Sequence, residues 1–456
     1  MNRHALNRLP LTPAWLLATV LAPLMIAPAS AEQFGAFEVA GFAKDEFSGC
    51  DNCSLGLVNP STYDPRGVLR QASAQSPNAP LVNQGGPSGK RGSNLALAML
   101  TLGAKHEFDN AVGVEARVSG RWRNGDADIF GQYVIDGYVG ASYPRYGAIQ
   151  AGIISSRSWT RSDSFAYPIG LSSAWAESGA GYSVLKRAVR FTSRQFEIPI
   201  GKLTLEATYA TAPVAYPLNP SSSVNAPPHP RLYELFAQYS NEKNLIEAVF
   251  QSSSGGLQNS FSKGAFTGSI GNTDIGNAKL GGGAPSENVT IIEGTYYRNE
   301  RWRLTYGLKR NEWSGLQQQC DYSKAKQTCY WDQPGFNYAS DGRQHHAIEY
   351  DGLLGVGYVK RLWVFTIGTV RMNKAYTQTP TEWGQSNSAT FVNLGIYRKL
   401  PEVYKHLEVY GGIGRVIFGR QGPAPLSMPG NTAFGNVDPR TSESGNSVTL
   451  GMNLIF

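Results

Sequence analysis

Apolar and polar residues alternate with a period of two over much of this chain. In residues 111–123, valines and Trp122 occupy one parity, while Glu115 and three arginines occupy the other. The same alternation runs through 301–309 and through 446–456. Such alternation is typical of β-strands whose two faces meet different surroundings. Since no segment shows an equally clear amphipathic helical pattern, the chain is predicted to be all-β.

Sixteen strands are predicted from this pattern, and the connections between them are short and long in turn. The antiparallel arrangement that follows is an up-and-down β-barrel of about sixteen strands, with tight turns at one end and elaborate loops at the other. The predicted strands are 34–45, 94–108, 111–123, 130–143, 147–155, 187–197, 202–212, 231–240, 244–252, 288–298, 301–311, 343–358, 362–373, 388–399, 406–418 and 446–456.

An even number of strands, each with about 9–11 residues to bury in lipid, is what a transmembrane barrel requires. In hydrocarbon every backbone N–H and C=O needs a partner, and a closed sheet supplies them all. Aromatic residues near strand ends would form girdles at the two membrane surfaces. We therefore expect apolar side chains to face lipid and polar ones to face a water-filled lumen, although a soluble β-sandwich would also alternate. The girdle candidates are Trp122, Tyr133, Tyr143, Tyr239, Trp302 and Trp363.

The composition narrows the class of protein further. Only 16% of the 456 residues are charged and 51 are Gly, whereas soluble domains average about 25% charged and about 7% Gly. These values disfavour an ordinary cytosolic enzyme, and 41% hydrophobic residues exclude a disordered chain. The chain has a net charge of +7, but its basic residues do not form a continuous run. We therefore expect them to line the lumen wall or to contact lipopolysaccharide rather than to bind nucleic acid.

The first 31 residues have the pattern of a secretory signal. Arg3 and Arg8 precede an apolar stretch at 14–27, and Ala29-Ser30-Ala31 follows. Small residues at these positions predict cleavage before Glu32, with an uncleaved anchor as the alternative. The exported domain would then be 32–456.

The four cysteines form two close couples, Cys50 with Cys53 and Cys320 with Cys329. In an oxidising compartment, a disulfide within each couple is the simplest connectivity. A redox or zinc role for Cys50 and Cys53 would need neighbouring features that the sequence does not offer. The adjacent pair His345 and His346 points to opposite faces of a strand, which disfavours a metal site there.

Three features resemble the trimeric, sixteen-stranded general porins of Gram-negative bacteria. They are Phe456 as the last residue of an alternating strand, the run 144–152, and the pair 188–193 and 203–209. The resemblance implies a homotrimer in the outer membrane that carries small hydrophilic solutes and ions by passive diffusion, without a cofactor. It also implies that the third long loop, 156–186, folds inward to narrow the channel. The chain is long for that family, which leaves eighteen strands open.

Charged residues on the polar parity suggest how such a channel would select ions. Inward basic residues gather on three strands, the third of which carries Arg301, Arg303 and Lys309. The first two groups, together with loop acids that would face the basic side, are expected to line the constriction, and an acidic arc lies on consecutive strands. Arg117, Arg121 and Arg190 are assigned to the positive side, and the excess of arginine suggests a weak anion preference. The residues are Arg117, Arg121, Arg123, Arg190 and Arg194 on strands, Arg157, Arg161, Asp163 and Glu177 in the loop, and the arc Glu206, Glu234, Glu247 and Glu293.

Two other functions remain open at this stage. A substrate-specific channel is compatible with the tryptophans in the long loops, among them Trp159 and Trp175. A barrel hydrolase is the second alternative, but the sequence contains no G-x-S-x-G and no H-E-x-x-H. The motifs therefore favour transport over catalysis.

Overall fold

The computed structural model describes most of the predicted strands and part of the loops. Residues 1–31, the predicted signal, lie outside the described residues. The described residues are 32–34, 36–53, 89–123, 134–165, 175–176, 179, 181, 184–211, 231–254, 273–274, 286–314, 318–321, 328–331, 346–374, 376–377, 388–420, 427 and 443–456.

Sixteen antiparallel strands form a closed barrel, in which each strand pairs with its neighbours in sequence. The ring closes because β1 pairs with both β2 and β16. The strands are β1 Phe37–Cys53, β2 Gly89–Glu107, β3 Gly113–Arg123, β4 Val134–Tyr143, β5 Gly147–Ser155, β6 Val184–Ser193, β7 Gly201–Thr211, β8 Arg231–Ser240, β9 Asn244–Ser254, β10 Ser286–Tyr297, β11 Trp302–Ser314, β12 His346–Lys360, β13 Trp363–Met372, β14 Ala389–Lys399, β15 Leu407–Phe418 and β16 Ser444–Ile455.

The fold class is confirmed, and closure with sixteen strands rules out the eighteen-stranded barrel that the chain length had left open. Every predicted strand corresponds to one barrel strand. The largest shift is in β1, which was predicted to end at residue 45 and continues to Cys53. Its polar second half resembles a loop in sequence, but it pairs with β2 and β16 along most of its length.

Outside the barrel wall, the structure describes helix α1 at Arg157–Phe165, and Trp175 and Ala176 are helical as well. Short strands at Glu32–Phe34, Phe196–Ile198 and Tyr376–Thr377 extend the sheet, and Thr273–Asp274, Gln318–Asp321 and Thr328–Trp331 form a separate small sheet. In the part of the chain that the structure describes, no helix is long and apolar enough to cross a membrane.

Cys50 and Cys53 lie in β1, and Cys320 and Cys329 lie in the separate small sheet. Cys50 is disulfide-bonded, and none of the described cysteines is free. Cys320 and Cys329 lie directly opposite each other in the small sheet. Pairing within each couple stays a prediction.

Through the middle of the wall, large apolar side chains point outward and polar ones point inward. Val118 is 53% exposed, Leu308 71% and Leu450 57%, whereas Thr305 on the other face of β11 is 4% exposed. Several girdle candidates are among the exposed outward residues, and Trp302 packs on Tyr358 at 4.6 Å between ring centroids. The two faces therefore have the polarity expected from the alternation. Tyr133 lies outside the described residues.

Near the end of the barrel that carries the long loops, this polarity reverses. The inward residues there are apolar and buried, as in the cluster Ile154, Leu185, Ala188, Ala210 and Leu232. The outward positions at the same level include exposed arginines such as Arg231 and Arg371. The outward side chains are thus apolar only in a band below this level, farther from the long loops.

Barrel closure depends on a close contact between the two ends of the chain. Gly41 and Phe456 exchange backbone hydrogen bonds of 2.8 and 3.0 Å. A Cβ at Gly41 would lie 2.7 Å from the Phe456 ring and even closer to the carbonyl oxygen of Met99. Glycine at this position therefore lets the last residue seat against β1.

We predict that Gly41→Val lowers the midpoint of heat-induced unfolding in detergent, because overpacking of this kind costs about 1–3 kcal/mol. Gly120→Val is the matched control, since a Cβ at Gly120 meets nothing within 4 Å. Equal midpoints for the two variants would contradict the assigned role of Gly41.

Candidate functional site

Helix α1 begins inside the barrel, against the inner wall. Its start is capped within the chain, because the Trp159 N–H donates to the Ser156 hydroxyl (3.3 Å) and the Thr160 N–H donates to the Ser156 carbonyl (3.0 Å). The two remaining N–H groups, of Arg157 and Ser158, donate to the carboxylate of Glu234 on β8 at 2.8 and 3.3 Å. A wall carboxylate thus satisfies the free donors at the positive end of the helix.

Arg157 binds a second wall carboxylate through its side chain. Its guanidinium donates to both oxygens of Glu206 on β7, at 2.5 and 2.7 Å, which is the bidentate geometry that planar guanidinium favours. Burial by itself would lower the pKa of Arg157, but Glu206 and the neighbouring carboxylates outweigh it and the pKa is raised. Arg157 therefore stays charged although it is enclosed.

Arg190 on β6 completes this cluster from the wall side. It donates to the Thr208 hydroxyl (2.9 Å), to the Ser155 carbonyl (2.8 Å) and to Glu234 (3.3 Å). Its side chain is 4% exposed. These contacts make Arg190 a support of the loop start, and it is not exposed in the lumen.

Arg161 contacts the next strand one helical turn further on. Its guanidinium lies 3.7 Å from Glu247 on β9, and both Arg157 and Arg161 lie over the Phe236 ring, at 5.5 and 5.4 Å from its centroid. Burial is the largest influence and lowers the pKa of Arg161, although Glu247 opposes it. We name Arg157, Arg161, Arg190, Glu206, Glu234 and Glu247 the loop anchor.

Beyond α1 the loop continues along the same arc of the wall. The Trp175 indole N–H donates to Glu293 on β10 at 2.7 Å, and Lys309 on β11 donates to the Trp175 carbonyl. The Lys309 ammonium also lies 4.6 Å from the centroid of a Trp175 ring. Gly307 leaves room for this indole, because a Cβ there would approach it to 2.7 Å.

A residue from the last long loop meets the third loop inside the barrel. The Gly179 N–H donates to the Ser427 carbonyl at 3.0 Å, and the Ser427 hydroxyl donates to Glu349 on β12 at 2.5 Å. Gly179 has φ +92° and packs against Asn311, so a side chain would be excluded there on both counts. The described part of the third loop thus spans the wall from β7 to β12.

The predicted constriction residues divide into several groups. Arg157 and Arg161 face the acidic arc, not the basic one, and Arg190 joins them in the loop anchor. Arg194 lies exposed in the turn after β6 and stacks on Phe196 at 5.4 Å. Arg117 and Arg121 lie on the inward parity of β3. The side chains of Arg123 and Asp163, and all of Glu177, lie outside what the structure describes.

Arg121 touches the loop from the far side. Its guanidinium carbon lies 5.7 Å from the centroid of a Trp159 ring, a cation–π distance. Among the described residues, no carboxylate lies within ion-pair distance of Arg121. Within the described part of the chain, Arg121 is therefore a positive charge beside the loop without an acidic partner.

Sequence reasoning placed the acidic arc on the inward face but missed its role. Glu206, Glu234, Glu247 and Glu293 were read as one side of a field across the pore, whereas each of them binds a residue of the third loop. The sequence offered one signal for this role. Arg157 and Arg161 are four residues apart in a loop with few acidic residues, so their carboxylate partners had to come from the wall. Three guanidiniums and three carboxylates balance in the loop anchor.

Within the described ranges, no group of three or more His, Cys, Asp or Glu side chains could hold a metal ion. The site therefore consists of the third loop, held by ion pairs and hydrogen bonds against the polar inner wall of the barrel.

No protein-family model and no curated protein sequence matches this chain. Several solved structures do match. The anion-selective porin of Comamonas acidovorans aligns with a TM-score of 0.54 and 11% sequence identity, over 92% of this chain and 99% of the porin. OmpF of Salmonella typhi, in complex with daunomycin, aligns with a TM-score of 0.53 and 10% identity, over 94% of this chain and 100% of OmpF. The trimer form of OmpT of Vibrio cholerae aligns with a TM-score of 0.51 and 10% identity, over 92% of this chain and 100% of OmpT. At such identities the likeness shows the fold, a porin-type barrel.

We predict that Glu234→Gln markedly lowers the heat-unfolding midpoint, because removing one partner of a buried ion pair costs about 3–5 kcal/mol. The control is Glu197→Gln, which breaks the exposed pair of Lys202 and Glu197 and should cost less than about 1 kcal/mol. If Glu234→Gln unfolds no earlier than the control, the loop anchor does not hold the fold together as described.

Proposed function

We propose that this protein is an outer-membrane porin of a Gram-negative bacterium, a water-filled channel for passive diffusion of small hydrophilic solutes and ions. The observation that carries the proposal is the inverted polarity of the barrel. In the middle band of the wall the large exposed side chains are apolar, such as Leu308 and Leu450, while Glu247, Glu293 and Lys309 are enclosed inside. A soluble barrel would expose the charges and bury the leucines.

A continuous outward apolar band is stable only against lipid, and the closed sheet meets the demand that hydrocarbon makes on the backbone. The predicted secretory signal supports export, and the fold of the matched outer-membrane proteins supports the same location. The outer leaflet makes lipopolysaccharide a natural partner of the wall.

Weak anion preference is supported by the way charges are used in the lumen. The arginines of α1 pair with carboxylates of the wall, while Arg121, which lies over the Trp159 ring, has no acidic partner among the described residues. Arg117, four residues before Arg121 on the same inward parity of β3, is assigned to the same positive side. A solute-specific channel remains the second candidate, since the Trp159 face could also bind flat solutes.

A homotrimer is supported by the outward face of the first strands. Asp45 points outward within the apolar band of β1, with Met452 and Ala96 as its cross-strand neighbours. A charge facing lipid at mid-depth costs up to about 2–4 kcal/mol, which contact between subunits would relieve. Small outward side chains on these strands permit close approach of a second copy. They are Ala43, Ala98, Ala104, Ala116, Ala141 and Ala151.

In planar bilayers we expect the refolded protein to conduct, with closures in steps of one third, because each subunit of a trimer contains its own pore. Liposome swelling should decline smoothly with the size of neutral sugars. Saturation by one solute class would instead support the specific channel, and turnover of lipid or peptide without conductance would contradict the porin proposal.

Replacing Arg121 with Gln should move the zero-current potential in a salt gradient toward cations, because a positive charge on the inward face is lost. Arg117→Gln should act in the same direction. Arg231→Gln is the control, since Arg231 is exposed on the outward parity of β8. A shift in the control as large as in Arg121→Gln would show that the potential does not report lumen charge.

A further inference from the structure

The outer surface of β13 to β16 carries a cluster of guanidinium and hydroxyl groups near the loop end. Arg371 on β13 donates to the Thr390 hydroxyl (2.6 Å) and to the Ser388 hydroxyl (3.1 Å) on the β14 side. Arg415 on β15 donates to the Ser444 hydroxyl on β16 at 3.3 Å. We name Arg371, Arg415, Ser388, Thr390 and Ser444 the rim cluster.

Both arginines of the rim cluster are exposed and point outward, because their strand neighbours on the other parity are enclosed. Val370 and Met372 flank Arg371 and are 0% exposed, and Val416 beside Arg415 is also 0% exposed. The guanidiniums therefore face the surroundings of the barrel and not its lumen.

Neither guanidinium has an acidic partner in the part of the chain that the structure describes. All their hydrogen-bond acceptors are neutral oxygens. Asp51 on β1 accepts from the backbone and side-chain nitrogens of Asn446, the cross-strand neighbour of Arg415, at 2.5 and 2.7 Å. By contrast, the outward Arg310 on β11 is paired with Glu312 at 2.7 Å. Within the described ranges, no carboxylate thus neutralises the two guanidiniums of the rim cluster.

The height of the cluster on the wall matches a membrane surface. On β13 the outward residues run from Trp363 through Phe365 and Ile367 to Arg371, while the inward residues become apolar at Val370. Trp363 and Arg371 are eight residues apart, roughly 26 Å along a strand and roughly 20 Å along the normal at the usual tilt, close to the apolar band of about 25 Å. Arg371 lies where the wall changes from an oil-facing to a water-facing pattern.

Apolar side chains lie beneath both arginines on the outward face of the wall. Ile367 lies four residues below Arg371 on β13, and Ile413 lies two residues below Arg415 on β15, 49% and 59% exposed. Arg371 and Arg415 are two strands apart, which places their Cα atoms roughly 10 Å apart across the sheet. Acyl chains can cover the isoleucines while phosphate oxygens reach the guanidiniums and hydroxyls.

On this geometry, and resting on the outer-membrane location proposed above, we propose that the rim cluster is a binding site for the phosphorylated headgroup of an outer-leaflet lipid. Guanidinium binds phosphate oxygens bidentately, and neighbouring hydroxyls add donors. The band of apolar side chains below it holds the acyl chains in register with the headgroup. The lipid would then seal the wall of β13 to β16 at its outer edge.

The test is a titration of the purified, detergent-solubilised full chain with bisphosphorylated lipid A, followed by native mass spectrometry. Arg371→Gln combined with Arg415→Gln should weaken binding at least about tenfold, because charge-assisted hydrogen bonds are lost. The control combines Arg310→Gln with Glu312→Gln, which removes an outward guanidinium together with its acid, and should bind as the wild type does.

Two further ligands identify the source of the phosphate. Dephosphorylated lipid A and inorganic phosphate should both bind at least about tenfold more weakly than the bisphosphorylated lipid. Equal binding of the dephosphorylated lipid, equal binding of inorganic phosphate, or undiminished binding by the double Arg variant would each overturn the proposal.

Single-channel conductance separates this result from the proposed function. The double Arg variant should conduct as the wild type does, which shows that its barrel is intact. A wild type that binds the lipid through these arginines but never conducts would contradict the porin proposal and leave the lipid site standing.

Discussion

The closed ring of hydrogen bonds between β1 and β16 is the constraint on which the rest of the structure depends. Once the first and last strands pair, no strand edge is left open, so the wall can face a medium that offers no hydrogen bonds. The outward side chains are then free to be apolar. The inward side chains must instead satisfy one another or water, and this explains why carboxylates and guanidiniums are concentrated inside.

The third loop takes advantage of that polar interior. Its helix start would leave free N–H donors in an enclosed space, and Glu234 satisfies two of them while also binding Arg190. Glu206 and Glu247 extend the same arrangement to Arg157 and Arg161. The position of the described part of the third loop thus follows from charge pairing with one arc of the wall. Trp159 in the same loop contacts Arg121, which the proposed function assigns to the positive side of the channel.

The barrel could be predicted from the sequence because alternation is a local signal that each strand carries by itself. Strand number and the apolar face of β3, β11 and β16 follow from it directly. The partners of the acidic arc could not be predicted, since Glu234 and Ser158 are far apart in the chain and meet only because the loop turns inward. Likewise, alternation reveals which parity Val370 and Arg371 occupy, but the reversal of polarity at the loop end requires knowing what covers the inner face.

The central claim is that the two faces of the wall meet different solvents, and neighbouring residues of β3 test it most directly. In proteoliposomes, Arg117→Cys should react with a water-soluble, membrane-impermeant thiol reagent. Val118→Cys, whose parent side chain is 53% exposed on the outward face, should react only with a lipid-soluble reagent. Rapid reaction of both positions with the water-soluble reagent, or reaction of Val118→Cys alone, would contradict the account.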